Sequence, residues 1–487
     1  MLKRLTALLA AALVTALAGA ADPSDLPDIG SPADTVLTRS KAEAIGRTVL
    51  RQMREAGYVL EDPEVAEYVD ALGHRIAATA HDGDLSFEFF VVGDDAINAF
   101  ALPGGYIGVN SGLISATRNE SELAGVLSHE IAHVTQKHIA RRVNATSQTS
   151  ILATAAVLAA ILLGATGVAG GEAMEAAIMT AQGAAMQQQI NYTRSNEYEA
   201  DRVGMQYLAD AGFDPMGMPS FFEVLSRLSG SMGNRVPEFI QTHPLSANRI
   251  AETRARAEKL DRRTAPDSLQ YELMRARIMV LGARSSEDAL AQFTSLLHGE
   301  DHAAPAWVRY GYGLALLRAG RADEAVPVFH DLREEDETVV VYHSALAESQ
   351  VLAGQAAEGL ITFREAIRLF PRNRPLTVRY GESLLRTGQF DQAHAVLLDL
   401  FNTVPPTPPQ VRLIANAANA AGDTAEALYY MSEYHLLTGQ LPMAVEKLRQ
   451  ALQDPGLRDV QRARFEARLA EIEPYLQEQR QTRRGGG

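Results

Sequence analysis

The sequence of 487 residues contains no cysteine and only one tryptophan. Without cysteine there can be no disulfide, no thiolate nucleophile and no sulfur ligand for a metal. Any metal site must therefore be built from His, Asp or Glu. Basic residues are also few: 45 Lys and Arg stand against 60 Asp and Glu, which gives a net charge of −15. This acidity argues against a nucleic-acid partner, because phosphate recognition needs a basic surface.

The first residues have the pattern of a secretory signal peptide. Two basic residues precede an apolar run over residues 5–18, and small residues follow up to Ala20. The run is shorter than the roughly 20 residues that cross a membrane as a helix. This favours cleavage after Ala20 or Ala21 over retention as a membrane anchor. We therefore predict a signal peptide over residues 1–21 and export of the mature protein.

Composition and periodicity divide the rest of the chain into two folded parts. Residues 22–40 are rich in Pro, Asp and Ser, and are predicted to be a flexible leader. From 41 to 262, helical patterns are interrupted by a few short alternating segments, which predicts an α+β domain that is mostly helical with a small sheet. From 263 to 478 only helical patterns occur, which predicts an all-α domain. The basic, glycine-ending segment 479–487 is predicted to be a disordered tail.

A 34-residue repeat runs through the second part. Four glycines recur at this spacing, and a small residue follows each of them by five positions. The glycines are Gly320, Gly354, Gly388 and Gly422, and the small residues are Ala325, Gly359, Ala393 and Ala427. The pattern resembles tetratricopeptide repeats, in which paired helices stack into a superhelix with a concave surface. Such a surface binds peptides or partner proteins, so we predict that residues 263–478 recruit proteins.

An uncharged stretch between residues 143 and 171 allows two interpretations. Its centre, residues 151–170, is apolar, but alanine dominates it and glycines interrupt it. A membrane-spanning helix needs a more strongly apolar run. We therefore favour a helix that is buried in the domain or lies at an interface, including peripheral contact with a membrane, over a true span.

A His-Glu-x-x-His motif at residues 129–133 carries the chemistry of the first part. On a helix, positions i and i+4 share a face, so the imidazoles of His129 and His133 can bind one zinc ion. Glu130, beside them, can take a proton from the attacking water as a general base. The alternative is a surface helix that carries two histidines and no metal.

A catalytic zinc site also needs a third protein ligand and an open position. His138 follows His133 by five residues, which puts it on the wrong face of a straight helix. Glu197 and Asp201 are spaced by four residues and can face the first helix together. One of them can bind the metal while the other holds a ligand histidine by its second nitrogen. An exposed acidic helix start is the alternative, and spacing alone does not decide between the two.

The two motifs together resemble peptidase family M48, a family of zinc metallopeptidases. The resemblance implies a zincin-like metallopeptidase fold for residues 41–262. It also implies that Glu197, and not Glu199, is the third ligand of one Zn²⁺ per chain. Asp201 would then lie in a second layer behind the ligands.

Two further segments extend this resemblance. The first, which resembles the edge strand of the family beside the cleft, consists of Asn98, Ala99, Phe100 and Ala101. Such a strand can bind an extended substrate peptide. The second is the His-Pro sequence at His243, with Arg249 after it. The resemblance makes both side chains candidates to stabilise the oxyanion, or lets His243 occupy the open metal position and block the enzyme.

The order of signal peptide, M48-like domain and tetratricopeptide repeats implies, by resemblance, a periplasmic zinc endopeptidase. It would degrade misfolded or stalled proteins during outer-membrane β-barrel assembly. Its partners would be unfolded or misassembled protein substrates and, through the repeats, the outer-membrane protein assembly machinery. One alternative is a chaperone or scaffold with latent proteolytic activity. Another is an integral membrane protease that uses residues 151–170.

Overall fold

The computed structural model of the protein describes residues 37–80, 85–145, 194–231, 237–261, 268–298 and 304–485. The predicted signal peptide and the apolar stretch 151–170 lie outside these residues, as does the predicted leader up to residue 36. None of the helices in the described ranges combines the length and the hydropathy of a membrane span.

The first part of the chain surrounds a three-stranded sheet with helices. Its elements are α1 (Arg39–Glu55), α2 (Pro63–Ala77), β1 (Glu88–Val92), β2 (Ala99–Leu102), β3 (Tyr106–Asn110), α3 (Ser111–Ala116), α4 (Glu120–Thr135), α5 (His138–Ala145), α6 (Arg194–Asp210), α7 (Gly217–Ser231), α8 (Glu238–Thr242) and α9 (Ala247–Ala257). The strand order is β1-β3-β2, with β1 parallel and β2 antiparallel to β3. Strand β2 therefore lies at an edge of the sheet, and α4 contacts this strand.

Helix α4 lies in the centre of this part of the chain. It begins after Asn119, whose side chain accepts a hydrogen bond of 2.9 Å from the backbone N–H of Glu122 and so satisfies one of the free donors of the first turn. Helices α2, α6 and α7 pack around it. Gly204 on α6 permits a close approach, because a Cβ there would lie 2.7 Å from the carbonyl oxygen of Ser128. Most of α4 is consequently buried, including its polar residues.

The second part of the chain is helical throughout its described residues. Its elements are α10 (Leu269–Gly282), α11 (Ser286–His298), α12 (Ala306–Arg318), α13 (Ala322–Glu335), α14 (Val340–Leu352), α15 (Ala356–Leu369), α16 (Arg374–Arg386), α17 (Phe390–Thr403), α18 (Pro408–Ala420), α19 (Thr424–Leu437), α20 (Leu441–Leu452) and α21 (Asp459–Gly485). Successive helices pack as neighbours along the array. The predicted fold class, an α+β domain followed by an all-α repeat array, is confirmed.

The glycines of the 34-residue repeat lie in the turns between paired helices. Gly320, Gly354, Gly388 and Gly422 have φ values of 73°, 83°, 76° and 87°. These left-handed values strain residues that carry a Cβ, which explains why glycine recurs at this point of each repeat. The small residue five positions later serves close packing instead: a Cβ on Gly359 would lie 2.7 Å from the carbonyl oxygen of Ala347.

The structure differs from the expected ends of the two folded parts. Helix α1 begins at Arg39, inside the predicted leader 22–40, and helix α21 continues to Gly485, inside the predicted disordered tail 479–487. The tail prediction gave weight to its basic and glycine content. However, the Gln, Glu and Arg residues before the final glycines are good helix formers and continue the preceding helix.

The repeat array packs directly on the first part of the chain. Helices α10 and α16 both contact α2, and one hydrophobic core continues from Val65 on α2 to Leu346 on α14. The same contact buries two arginines of the array, Arg277 and Arg379, against Asp62 and Glu64 at the start of α2.

Candidate metal centre

Two helices bring the motif residues together at one buried point. His129 and His133 project from α4, and Glu197 from the first turn of α6, which packs along α4. His243 directly follows α8 and belongs to the same group. All four side chains are at most 1% exposed. They form a group that offers one ligand atom each, all within 4.8 Å of one another.

The spacing of these ligand atoms suits one small metal ion. Nε2 of His129 lies 3.0 Å from Nε2 of His133, 3.4 Å from Nδ1 of His243 and 3.5 Å from Oε2 of Glu197. Oε1 of Glu197 lies 3.5 Å from Nε2 of His133 and 3.3 Å from Nδ1 of His243. Tetrahedral ligands at 2.0–2.1 Å from zinc would be about 3.3–3.4 Å apart. Imidazole and carboxylate donors in this arrangement therefore fit zinc.

The electrostatics of the group also favour a cation among the four donors. Burial disfavours the charged form of His129, but hydrogen bonds with Asp201 and Glu197 outweigh it and raise its pKa to about 9. Burial likewise opposes ionisation of Glu197, yet His243 and His129 hold its pKa well below its usual range. Burial and the charge on His129 lower the pKa of His133. A positive charge is thus stabilised beside Glu197.

A second layer fixes His129 and Glu197 in place. Nδ1 of His129 lies 3.0 Å from Oδ1 of Asp201. The guanidinium of Arg249 donates to both oxygens of Asp201 at 2.8 Å, lies 2.9 Å from Oε2 of Glu197, and donates to the carbonyl oxygen of Pro244 at 2.9 Å. Burial opposes the charge on Asp201, but Arg249 and His129 lower its pKa. This carboxylate therefore stays ionised beside His129.

Comparison with known proteins agrees with this geometry. The model of peptidase family M48 matches residues 63–257. The beta-barrel assembly-enhancing protease of Escherichia coli strain K12 is 30% identical over 93% of this chain and 92% of its own length. A Vibrio cholerae protein given the same name provisionally is 35% identical over 93% of each chain.

The chain belongs to peptidase family M48. It is accordingly a zinc metalloprotease, and it resembles the beta-barrel assembly-enhancing proteases over nearly its whole length. Among solved structures, a thermophilic tetratricopeptide-repeat protein of Thermus thermophilus is 20% identical and covers 42% of this chain and 100% of its own, with a TM-score of 0.24.

In this M48 chain, Glu130 lies beside the four donors. Its side chain is fully buried, and its Oε1 is 3.4 Å from Nε2 of His243. Burial raises its pKa, while the imidazoles of His243 and His129 and the backbone N–H of Ala101 oppose this rise. Ala101 belongs to the edge strand β2, so the structure brings the predicted substrate strand next to the predicted general base.

The residues of the predicted strand segment have the burial and pairing expected of an edge strand. Asn98 precedes β2 and is buried, as are Ala99 and Ala101, while Phe100 is only half-buried. One side of β2 pairs with β3, since Phe100 is opposite Gly108. Its other side pairs with no strand of the described residues.

Arg249 occupies a different position from the one we expected. The prediction placed it with His243 as a candidate to stabilise the oxyanion. Its guanidinium instead contacts Asp201 and Glu197 and is 2% exposed. The reason is electrostatic: two buried carboxylates at this point need a cation, and Arg249 on α9 provides it. His243, by contrast, lies among the ligand atoms.

The spacing argument missed two residues of the centre, His138 and Glu199. Nδ1 of His138 lies 2.8 Å from Nδ1 of His133, and its Nε2 lies 3.2 Å from Oε2 of Glu199. The wrong assumption was a straight helix through residue 138. Lys137 adopts a φ of 52° between α4 and α5, and this turn brings His138 back towards His133.

Proposed function

We propose that the chain is a periplasmic zinc endopeptidase that acts on misfolded or stalled proteins during outer-membrane β-barrel assembly. The observation that carries the proteolytic part is the group of four buried donor atoms, all within 4.8 Å of one another, beside Glu130. The names of the full-length relatives support the assembly role. The signal-peptide pattern of residues 1–21 supports export.

In this proposal, His129, His133 and Glu197 hold one zinc ion, and Asp201 and Arg249 position them. Bound zinc would supply Lewis acidity, which polarises a peptide carbonyl and makes water acidic near neutral pH. Glu130 would accept a proton from the attacking water and transfer it to the leaving amine. Burial raises the pKa of Glu130, which makes its carboxylate a stronger acceptor for the proton of the attacking water.

His243 would close the site at rest. Its Nδ1 lies at the fourth corner of the donor group, 3.3 Å from Glu197 and 3.4 Å from Nε2 of His129. Its ring stacks on Phe239 of α8 at a centroid distance of 4.7 Å. Substrate binding would require this histidine to leave the corner. Once displaced, its imidazole could donate a hydrogen bond to the developing oxyanion.

Substrate would bind as an extended strand along the free edge of β2. This edge passes Glu130 at Ala101, which aligns a paired peptide with the metal. Pairing of this kind uses backbone hydrogen bonds and therefore tolerates varied sequences, as unfolded substrates require. The repeat array would recruit substrates or the assembly machinery through its concave surface.

Glu130→Gln tests the enzymatic part of the proposal. The variant should keep one zinc per chain, measured by elemental analysis, and lose cleavage of a loosely folded protein such as casein. Glu120→Gln is the matched control: it makes the same change on α4, at a residue that accepts a hydrogen bond from Tyr68 far from the donors, and it should cleave normally. Normal cleavage by Glu130→Gln would contradict the mechanism.

One observation favours the second function, a chaperone or scaffold with latent proteolysis. The four donor side chains are at most 1% exposed and His243 completes their group, so the resting centre is closed to a substrate. Complementation of a deletion strain separates the two functions. If Glu130→Gln restored every defect of the strain, the scaffold would be the working function; partial or failed rescue supports the protease.

A further inference from the structure

The ring of His133 has two nitrogens, and the proposed zinc site uses only Nε2. The other nitrogen, Nδ1, lies 2.8 Å from Nδ1 of His138. The two rings are close, with centroids 4.8 Å apart and planes at 75°. His138 is fully buried. A hydrogen bond between two imidazole nitrogens requires one to carry the proton and the other the lone pair.

Zinc binding determines which of the two imidazole nitrogens, that of His133 or that of His138, carries the shared proton. If Nε2 of neutral His133 gives its lone pair to the metal, its proton is on Nδ1 and points to His138. Nδ1 of His138 must then accept, so the proton of His138 is on Nε2. That nitrogen lies 3.2 Å from Oε2 of Glu199, a suitable acceptor. Arg141 donates to the same oxygen at 2.9 Å and balances its charge.

The other histidine of the motif, His129, has an equivalent series of polar contacts. His129 contacts Asp201, and Asp201 is held by Arg249. Each histidine of the motif is thus linked in space to a carboxylate of α6 and then to an arginine. His138 lies between the histidine and the carboxylate in only one of the two series. A ligand histidine whose other nitrogen is held in this way keeps its tautomer and ring orientation.

The local backbone supports a role for His138 beyond filling space. Lys137 adopts φ 52°, a left-handed value that non-glycine residues rarely take because of steric cost. Its N–H is bonded to the carbonyl oxygen of Val134, and its own carbonyl oxygen accepts from the N–H of Arg141. This turn starts α5 at His138 and directs its ring to His133. Such strain is maintained only where its surroundings stabilise it.

We propose that His138, together with Glu199, is a positioning residue that holds His133 in the tautomer and orientation required for zinc binding. The inference rests on the proposed zinc site. His138 is not itself a ligand in this scheme, because the group of mutually close donor atoms in the described residues contains His129, His133, Glu197 and His243 only.

Zinc affinity of the purified mature protein tests the proposal, by competition with a chromogenic chelator. His138→Phe keeps a ring of similar size but removes the acceptor, and should weaken zinc binding about 10–100-fold. His138→Asn retains an acceptor near Nδ1 and should recover much of this loss. Glu199→Ala should give a smaller loss, because Glu199 is partly exposed. His343→Phe, which removes another buried histidine in the repeat array, should bind zinc within about twofold of wild type.

The thermal midpoints of zinc-free and zinc-loaded protein separate positioning from packing. In His138→Phe the zinc-free midpoint should stay close to that of the wild type, while the rise on adding zinc should shrink. Equal falls in both forms with unchanged zinc affinity would overturn the proposal. If His138→Phe does not fold, unchanged zinc affinity in Glu199→Ala, which removes the acceptor that holds Nε2 of His138, would overturn it. A wild type that binds no zinc would instead overturn the proposed function along with it.

Discussion

Replacing Arg379 with methionine should cost the protein several kcal/mol of unfolding free energy, because it leaves a buried charge unpaired between the catalytic part and the repeats. Arg379 on α16 donates to Glu64 at 2.8 Å and 3.0 Å and to Asp62 at 2.9 Å. Arg277 on α10 donates to both oxygens of Asp62 at 2.8 Å and 2.9 Å, and lies 3.1 Å from Glu64. Two positive and two negative charges therefore balance.

The magnitude follows from the burial of this group. The side chains of Asp62, Glu64 and Arg277 are at most 8% exposed, and that of Arg379 is 15% exposed. Removing one partner of a buried ion pair costs about 3–5 kcal/mol, because the remaining charge is desolvated without compensation. Arg374 on the same helix provides a matched control. Its contact with Glu67 on α2 is 3.4 Å long, and both side chains are partly exposed, so Arg374→Met should cost less than about 1 kcal/mol.

Urea denaturation, followed by the fluorescence of Trp307 on α12, measures this difference. Trp307 is the only tryptophan of the chain and lies against the shared core. The double variant Glu64→Gln/Arg379→Met removes one charge of each sign and should regain much of the stability lost in the single variant. If Arg379→Met were no less stable than Arg374→Met, the buried cluster would not hold the array on the catalytic part, and the reasoning would be refuted.

Three other features give predictions of their own. Burial opposes the charge on Asp62, but Arg277 outweighs this effect and lowers the pKa of Asp62. The loss of unfolding free energy in Asp62→Asn should therefore be largest above about pH 4 and shrink as the pH falls below that value. If urea titrations gave the same stability difference between wild type and variant at pH 3, the prediction would be contradicted. Gly354→Ala should lose about 1–2 kcal/mol of unfolding free energy, because φ at this position is 83°, although there is room for a Cβ. Gly282→Ala is the control: φ at Gly282 is not left-handed, so this variant should keep its stability. Calorimetry can compare the two variants. Chelation should lower the thermal midpoint reversibly with zinc, and a midpoint indifferent to the chelator would argue against a zinc site of the four donors.

The two residue pairs of the candidate metal centre could be read from the sequence because the spacing within each pair is local. His129 and His133 share a helical face by their spacing, and Glu197 and Asp201 do so on a second helix. The family resemblance then distinguished Glu197 from Glu199. The structure brings both pairs to one point, where Gly204 allows the two helices to approach. Each pair is visible within a five-residue window, whereas the meeting of the two pairs rested on the family resemblance.

The position of Arg249 and the docking of the repeats could not be predicted in this way. Arg249, Arg277 and Arg379 look like ordinary surface residues in the sequence, since arginine is rarely buried. Their burial depends on acidic partners that lie 48, 215 and 317 positions away in the chain. Charge pairing over such separations has no periodicity to read. It appears only when the helices are assembled.

His138 shows a different kind of failure, because its partner His133 is only five positions away. Helical geometry excludes such a contact for a continuous helix, and nothing in the sequence marks the end of α4 with the usual glycine or proline. The helix ends instead with Lys137 in a left-handed conformation, which glycine would adopt without strain. A residue that takes the less favourable conformation at this position, next to a histidine that contacts a proposed ligand, suggests that the turn serves the site and not the chain path alone. If so, Lys137→Gly should preserve zinc affinity and slightly stabilise the turn, whereas Lys137→Val, whose β-branched side chain disfavours the left-handed conformation, should disturb the turn and weaken zinc binding in the same direction as His138→Phe.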